Sequence, residues 1–202
     1  EKDIIKLSEK LFIPTYSRYP IVLRKGRGVK VWDVNGKEYL DFLGGIAVNI
    51  LGHCPRKVVM AVQKQVQRLI HVSNLYYTEP QLALAKILIK NSFADRVFFC
   101  NSGTEANEGA LNLARIYMKK KDGKDRFEFI STYNSFHGRT FGSLSVTGQE
   151  KYHHGFEPLL GSVKFVHFNN ANAIANAITD KTCAVILEPI QAEGGVNVPD
   201  KD

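Results

Sequence analysis

Three short segments hold residue types that can do chemistry. Asn101-Ser102-Gly103-Thr104-Glu105-Ala106-Asn107 sets two hydroxyls around a glycine at the expected start of a helix. The free N–H groups of a first helical turn, with the Ser102 and Thr104 hydroxyls, can hold a phosphate dianion. The same residues also make an ordinary helix cap, with Glu105 well placed for the helix dipole, and spacing alone leaves both readings open. No GxGxxG run and no Walker lysine accompanies them, which argues against a nucleotide. Tyr133-Asn134-Ser135-Phe136-His137-Gly138-Arg139-Thr140 offers the Phe136 ring, able to stack on a planar cofactor, and Arg139, able to grip a carboxylate with two parallel hydrogen bonds. A buried phenylalanine and a surface arginine in a loop is the plainer alternative. Leu187-Glu188-Pro189-Ile190-Gln191-Ala192-Glu193-Gly194-Gly195 carries two carboxylates ahead of a glycine pair. They can orient a cofactor, pair with a basic group, or simply close an acidic loop.

The surrounding pattern says what must position these segments. Each follows a short apolar run: Arg96 to Cys100, Phe127 to Ile130, and Cys183 to Leu187. A further run, Val163 to Phe168, precedes a helical stretch from Ala171 to Ile178. A long helix after Thr104 shows Ala106, Ala110, Leu113, Ala114 and Tyr117 on one face. Short strands alternating with helices predict an α/β fold with a mostly parallel sheet flanked by helices, and ligands bind at the C-terminal ends of such strands. Upstream the rhythm differs. Residues 1–20 read as a short amphipathic helix running into a Pro/Tyr-rich stretch. Val29 to Asp33 and Glu38 to Phe42 then flank Asn35-Gly36, a pair that tolerates positive φ at both turn positions, so a hairpin is expected. Helices are expected from Pro55, with Val58, Val62, Val66 and Leu69, and from Pro80. This divides the chain into an N-terminal segment and hairpin lobe, residues 1–60, and an incomplete α/β domain, residues 61–202.

Composition narrows the function classes. The 44% hydrophobic and 23% charged content is that of a globular protein. No run approaches the ~18 apolar residues of a membrane span, so no membrane partner is expected. Three widely spaced cysteines, without a CxxC pair, argue against a disulfide framework and for a cytoplasmic location. The net charge of +7 raises nucleic acid as a partner, but the basic residues are dispersed. Their densest run, Lys119-Lys120-Lys121, reads as the solvated end of a helix, and no RNA-binding signature accompanies it.

Taken in order, Ser102 to Asn107, Phe136-His137-Gly138-Arg139 and Glu188 to Gly195 resemble the class III, fold-type I aminotransferases. Upstream, Val31-Trp32-Asp33, Gly36 to Phe42, Gly44 to Val48 and Leu51-Gly52-His53-Cys54 are similar to the same family, so the likeness covers nearly the whole chain. It implies pyridoxal 5'-phosphate as cofactor, with Ser102, Gly103 and Thr104 at its phosphate, Phe136 on its ring with His137 beside it, and Glu188 supporting the site. It further implies that Arg139 binds the substrate carboxylate, that Glu193 pairs with a gating arginine, and that Tyr19 contacts substrate. Small-molecule amine and 2-oxo acid substrates and a homodimer follow from the same likeness. Gly44-Gly45-Ile46-Ala47-Val48 points within the family to an N-acetylornithine donor, with ornithine, succinylornithine and 4-aminobutyrate as the alternatives. Two positions depart from the pattern: Pro55-Arg56 where relatives commonly show His-Pro, and Ala192 where glycine is common. The family's cofactor-anchoring lysine and its ring-nitrogen aspartate match no residue here. The resemblance places both beyond Asp202, and residues 1–202 alone are expected to bind ligands without turnover.

Overall fold

The structure, a computed structural model, describes residues 1–123 and 125–200. Two compact units divide at Glu79 and Pro80. The first opens with α1 (Lys2–Leu11), which carries Asp3 in its first turn and Lys10 in its last, as the helix dipole favours. An antiparallel meander follows, β1 (Leu23–Arg27), β2 (Lys30–Asp33) and β3 (Glu38–Leu40), with β2 central. The β2–β3 hairpin closes through Val34-Asn35-Gly36, with the Asp33 amide donating to the Lys37 carbonyl at 3.0 Å. Only Gly36 takes positive φ, 86°. The expected two-residue turn is therefore a three-residue loop with glycine in its left-handed position. The buried Asp33 carboxylate holds the loop, accepting from the Asn35 and Lys37 amides and from the Tyr39 hydroxyl, each at 2.9 Å.

After β3 the backbone does something costly. The turn α2 (Gly44–Ala47) runs left-handed, with φ of 53°, 64°, 56° and 62° at Gly44, Gly45, Ile46 and Ala47. The glycines take this freely, whereas Ile46 and Ala47 meet a steric cost of about 1–2 kcal/mol each. Asp41 anchors the turn: Oδ1 accepts from the Leu43 and Gly44 amides, and Oδ2 lies 2.7 Å from His53 Nε2. His53 is itself fixed by two backbone hydrogen bonds to Gly28, at 2.9 and 2.8 Å. Helix α3 (Arg56–Val66) and a 3-10 turn, Ser73–Leu75, complete this unit.

In the second unit α4 (Glu79–Lys90) precedes an irregular stretch and the long helix α5 (Gly103–Asp122). The chain then alternates: β4 (Glu128–Thr132), α6 (Phe141–Val146), β5 (Val163–Val166), α7 (Ala171–Ala177) and β6 (Thr182–Val185). All strand pairs are parallel, in the order β5-β4-β6, which agrees with the expected α/β class. Strand β4 is buried because it lies between two neighbours; Phe129, Ile130, Ser131 and Thr132 are at most 1% exposed. Phe129 enters a cluster with Leu111, Val146 and Cys183, and on the same face Ser131 donates to the Val146 carbonyl at 2.6 Å. The opposite face turns Thr132 toward Gln191, whose amide donates to the Thr132 hydroxyl at 3.0 Å.

One expected strand is not a strand. Arg96 to Cys100 carries no regular structure, and among the described residues no strand pairs with it, so it forms no ladder. The other expected elements shift by one to three residues, and β1, α2 and α6 answer no expectation from the sequence. The lysine run lies in the last turn of α5, which Gly123 terminates with φ 68°.

Candidate functional site

The site region forms where the segments after β4 and β6 meet the N-terminus of α5. Ser102 caps α5: its Oγ accepts from the Glu105 amide at 3.3 Å and donates to the Glu105 carboxylate at 2.8 Å. Asn101 binds the same carboxylate through its amide and side chain, both at 3.0 Å. Bonds from Asn101 and then Ser102 hold the Glu105 carboxyl below the ordinary glutamate value. A second chain of hydroxyls starts at Thr104. Its Oγ1 lies 2.8 Å from Thr140 Oγ1, which donates to Glu108 at 2.6 Å. A hydroxyl has one proton, so with Thr140 donating to Glu108, Thr104 donates to Thr140. Both hydroxyl protons near the α5 terminus are thus committed within the protein. Donors on offer to an anion are the first-turn amides of Gly103 and Thr104, which have no carbonyl partner inside the helix. The space beside Gly103 is open, since a Cβ there would meet nothing within 4 Å.

The loop from Tyr133 to Thr140 is stitched down at both sides. Asn107 donates to the His137 carbonyl at 2.6 Å, and the His137 amide donates to Thr147 Oγ1 at 2.9 Å. Gly138, with φ 126°, passes so close to Thr104 that a Cβ would lie 2.6 Å from the Thr104 Cβ. The Phe136 amide donates to Glu188 Oε2 at 3.2 Å, tying the β4 loop to the β6 loop. Burial, reinforced by nearby Glu193, raises the Glu188 carboxyl above the usual range, and the Phe136 amide only partly opposes this. The His137 side chain is buried, with Nε2 unpartnered, and burial lowers its pKa to about 4.

On the open side Phe136 meets Tyr152 edge-on, at a ring separation of 5.7 Å. The Arg139 guanidinium lies over the Tyr152 ring at 4.7 Å and the Phe156 ring at 5.7 Å. Glu193 accepts from the Tyr152 hydroxyl on one oxygen and from Gln149 on the other. Burial alone would raise the Glu193 carboxyl, but these two donors and Lys151 hold it below its ordinary value.

The structure therefore brings Ser102, Gly103, Thr104, Phe136, His137, Arg139, Glu188 and Glu193 into one connected set of contacts. Tyr19 belongs to the first unit, where it is 78% exposed and lines a cavity with Phe12 and Arg18. Sequence reasoning missed Thr140, Glu108, Gln149 and Tyr152. Thr140 sits at the end of a segment already singled out, but Gln149 and Tyr152 carry no motif, and only folding brings them to Glu193.

Comparison with known proteins follows the same lines. The family model described as "Aminotransferase class-III" matches residues 12–202. The chain is 52% identical, over all 202 of its residues, to the acetylornithine aminotransferase of Methanocaldococcus jannaschii, covering 51% of that protein. It is 54% identical over 194 residues to that of Caldanaerobacter subterraneus subsp. tengcongensis, covering 49%. Among solved structures, the ornithine aminotransferase of Toxoplasma gondii superposes with a TM-score of 0.93 at 30% identity, over 99% of this chain and 48% of that one. The chain spans about half the length of the curated relatives it matches.

Proposed function

This chain belongs to the class-III aminotransferases, and from that membership we propose that its protein moves the δ-amino group of N-acetylornithine to 2-oxoglutarate. The products are N-acetylglutamate 5-semialdehyde and glutamate, in arginine biosynthesis. The protein works as a cytoplasmic homodimer with pyridoxal 5'-phosphate. The observation that carries the reading is the meeting of a helix N-terminus, an aromatic ring and a guanidinium in the loops that follow parallel strands. Close identity to acetylornithine aminotransferases supports the choice of donor.

The residues present fit this cofactor. The Gly103 and Thr104 amides lack carbonyl partners inside the helix, Gly103 has open space beside it, and both suit a phosphate dianion; Ser102 holds the turn in shape through Glu105. Phe136 offers the stacking ring, and Glu188 fixes its backbone. His137 is buried as a neutral side chain. When bound, the cofactor supplies the electron sink that lets an amine lose its adjacent proton. What these residues contribute is binding and orientation. Arg139 grips the substrate carboxylate with charge-assisted hydrogen bonds, Glu193 pairs with a gating arginine, and the family likeness gives Tyr19 a substrate contact.

The test is a donor panel with the cofactor-loaded enzyme and 2-oxoglutarate. N-acetylornithine should give the highest kcat/KM, above ornithine, succinylornithine and 4-aminobutyrate. A preference of about tenfold or more for any of the other three, equal to ~1.4 kcal/mol of transition-state discrimination, would reassign the donor.

A further inference from the structure

Arg139 is built unusually for an exposed arginine. Among the described residues it makes no hydrogen bond and no ion pair; its contacts are the faces of Tyr152 and Phe156. A guanidinium stacked on aromatic faces is restricted in orientation while its N–H donors stay available for a planar anion. Tyr152 is not free to turn away. Its hydroxyl donates to Glu193, whose second oxygen is engaged by Gln149, and its ring edge abuts Phe136. Lys151 lies over the same Tyr152 ring, with Nζ at 4.7 Å, and adds a second cation to it.

From this geometry we infer that Tyr152 is a positioning residue for substrate: held upright by Glu193, its ring pre-orients Arg139 to receive the substrate carboxylate. The inference rests on the proposed role of Arg139 and deepens it. A consequence is that Glu193 and Arg139 are mechanically linked. Glu193 fixes Tyr152, and Tyr152 fixes Arg139, so a change at the acidic residue reaches the carboxylate clamp through one aromatic ring.

The experiment compares Tyr152→Phe, Tyr152→Leu and Arg139→Lys in the cofactor-loaded enzyme. It measures KM and kcat for N-acetylornithine, the inhibition constant of glutarate, the Kd of pyridoxal phosphate, and Tm. Tyr152→Leu should raise KM and the glutarate constant about 3- to 30-fold, the loss expected for one partly desolvated cation–π contact. Its kcat should fall by less, and its cofactor Kd should stay within about twofold, because the ring orients a binding group rather than the cofactor. Tyr152→Phe keeps the ring but loses the Glu193 tether, and should fall between wild type and Tyr152→Leu. If Arg139→Lys weakens glutarate while both Tyr152 variants bind it as wild type does, the inference about Tyr152 is wrong and the clamp reading stands. If all three bind glutarate normally, the clamp itself is misassigned. A parallel loss of glutarate affinity, cofactor affinity and Tm in the Tyr152 variants would reduce Tyr152 to a packing role and overturn the proposal. Should Tyr152→Leu not fold, Tyr152→Phe decides alone, and wild-type glutarate affinity in it overturns the proposal.

Discussion

At the residue scale the most telling group is His137. Its side chain is buried, its Nε2 has no partner, and burial holds its pKa near 4 against an ordinary value of 6.5. The unfolded chain therefore takes up a proton at this position where the folded chain refuses it. The contribution to stability is full above about pH 6.5 and is lost as the pH falls toward 4. Replacing His137 with Asn removes the titration. The difference in unfolding free energy between pH 7 and pH 5 should shrink in His137→Asn relative to wild type, whatever the variant's absolute stability. An identical pH dependence in the two proteins would show that His137 titrates normally. The same residue shows what sequence could and could not supply. His137 stood out because of its neighbours in Phe136-His137-Gly138-Arg139, but its neutrality depends on the burial of its side chain, which no local pattern reveals.

At the scale of elements, the β4–α6 connection depends on a close backbone crossing. A Cβ at Gly148 would overlap the Thr132 carbonyl oxygen and lie 3.0 Å from the Tyr133 Cα, so the obstruction is main chain with no side chain to swing aside. Gly148 also donates to Ser135 Oγ and accepts from the Asn134 amide, closing the loop that presents Phe136. Gly148→Ala should cost about 1–3 kcal/mol in urea unfolding, the range of forced overpacking, and a change below ~0.5 kcal/mol would count against this crossing. Most elements were legible. The Asn35-Gly36 hairpin, the helix after Thr104 and the alternating strands carry local signals of turn chemistry and periodicity. Arg96 to Cys100 shows the limit: an apolar run encodes the wish to be a strand, but a strand exists only where another backbone answers it. The left-handed turn at Gly44–Ala47 was legible only as a break, since a glycine pair permits many conformations and Asp41 with His53 selects one. The site was half legible for the same reason. Contiguous motifs exposed its loops, whereas Gln149 and Tyr152 reach Glu193 across more than forty positions.

For the molecule as a whole, much apolar surface stands open. Phe42 is 93% exposed, Ile46 90%, Ile50 84% and Leu75 82%, far from the burial such residues find in a core. Among the described residues the outer edges of β5 and β6 are unpaired, and an uncovered edge is a template for another strand. The chain spans about half of its relatives' length. No helix among the described residues is long and apolar enough to cross a membrane.

The left-handed turn at Gly44–Ala47 has a consequence for chemical synthesis. Ala47 is exposed and holds φ 62°, a conformation that is the mirror image of what its own chirality prefers. A D-amino acid prefers that region for the reason an L-residue avoids it. Cys54 stands only seven residues after Ala47, and a cysteine is the junction that thioester ligation requires, so a synthetic piece covering residues 1–53 can be joined there without altering a side chain. D-alanine at position 47 should then raise the unfolding free energy by about 1–2 kcal/mol, read by urea titration against the all-L ligation product. Equal stability of the two diastereomers would mean that the turn relaxes out of its left-handed form in solution.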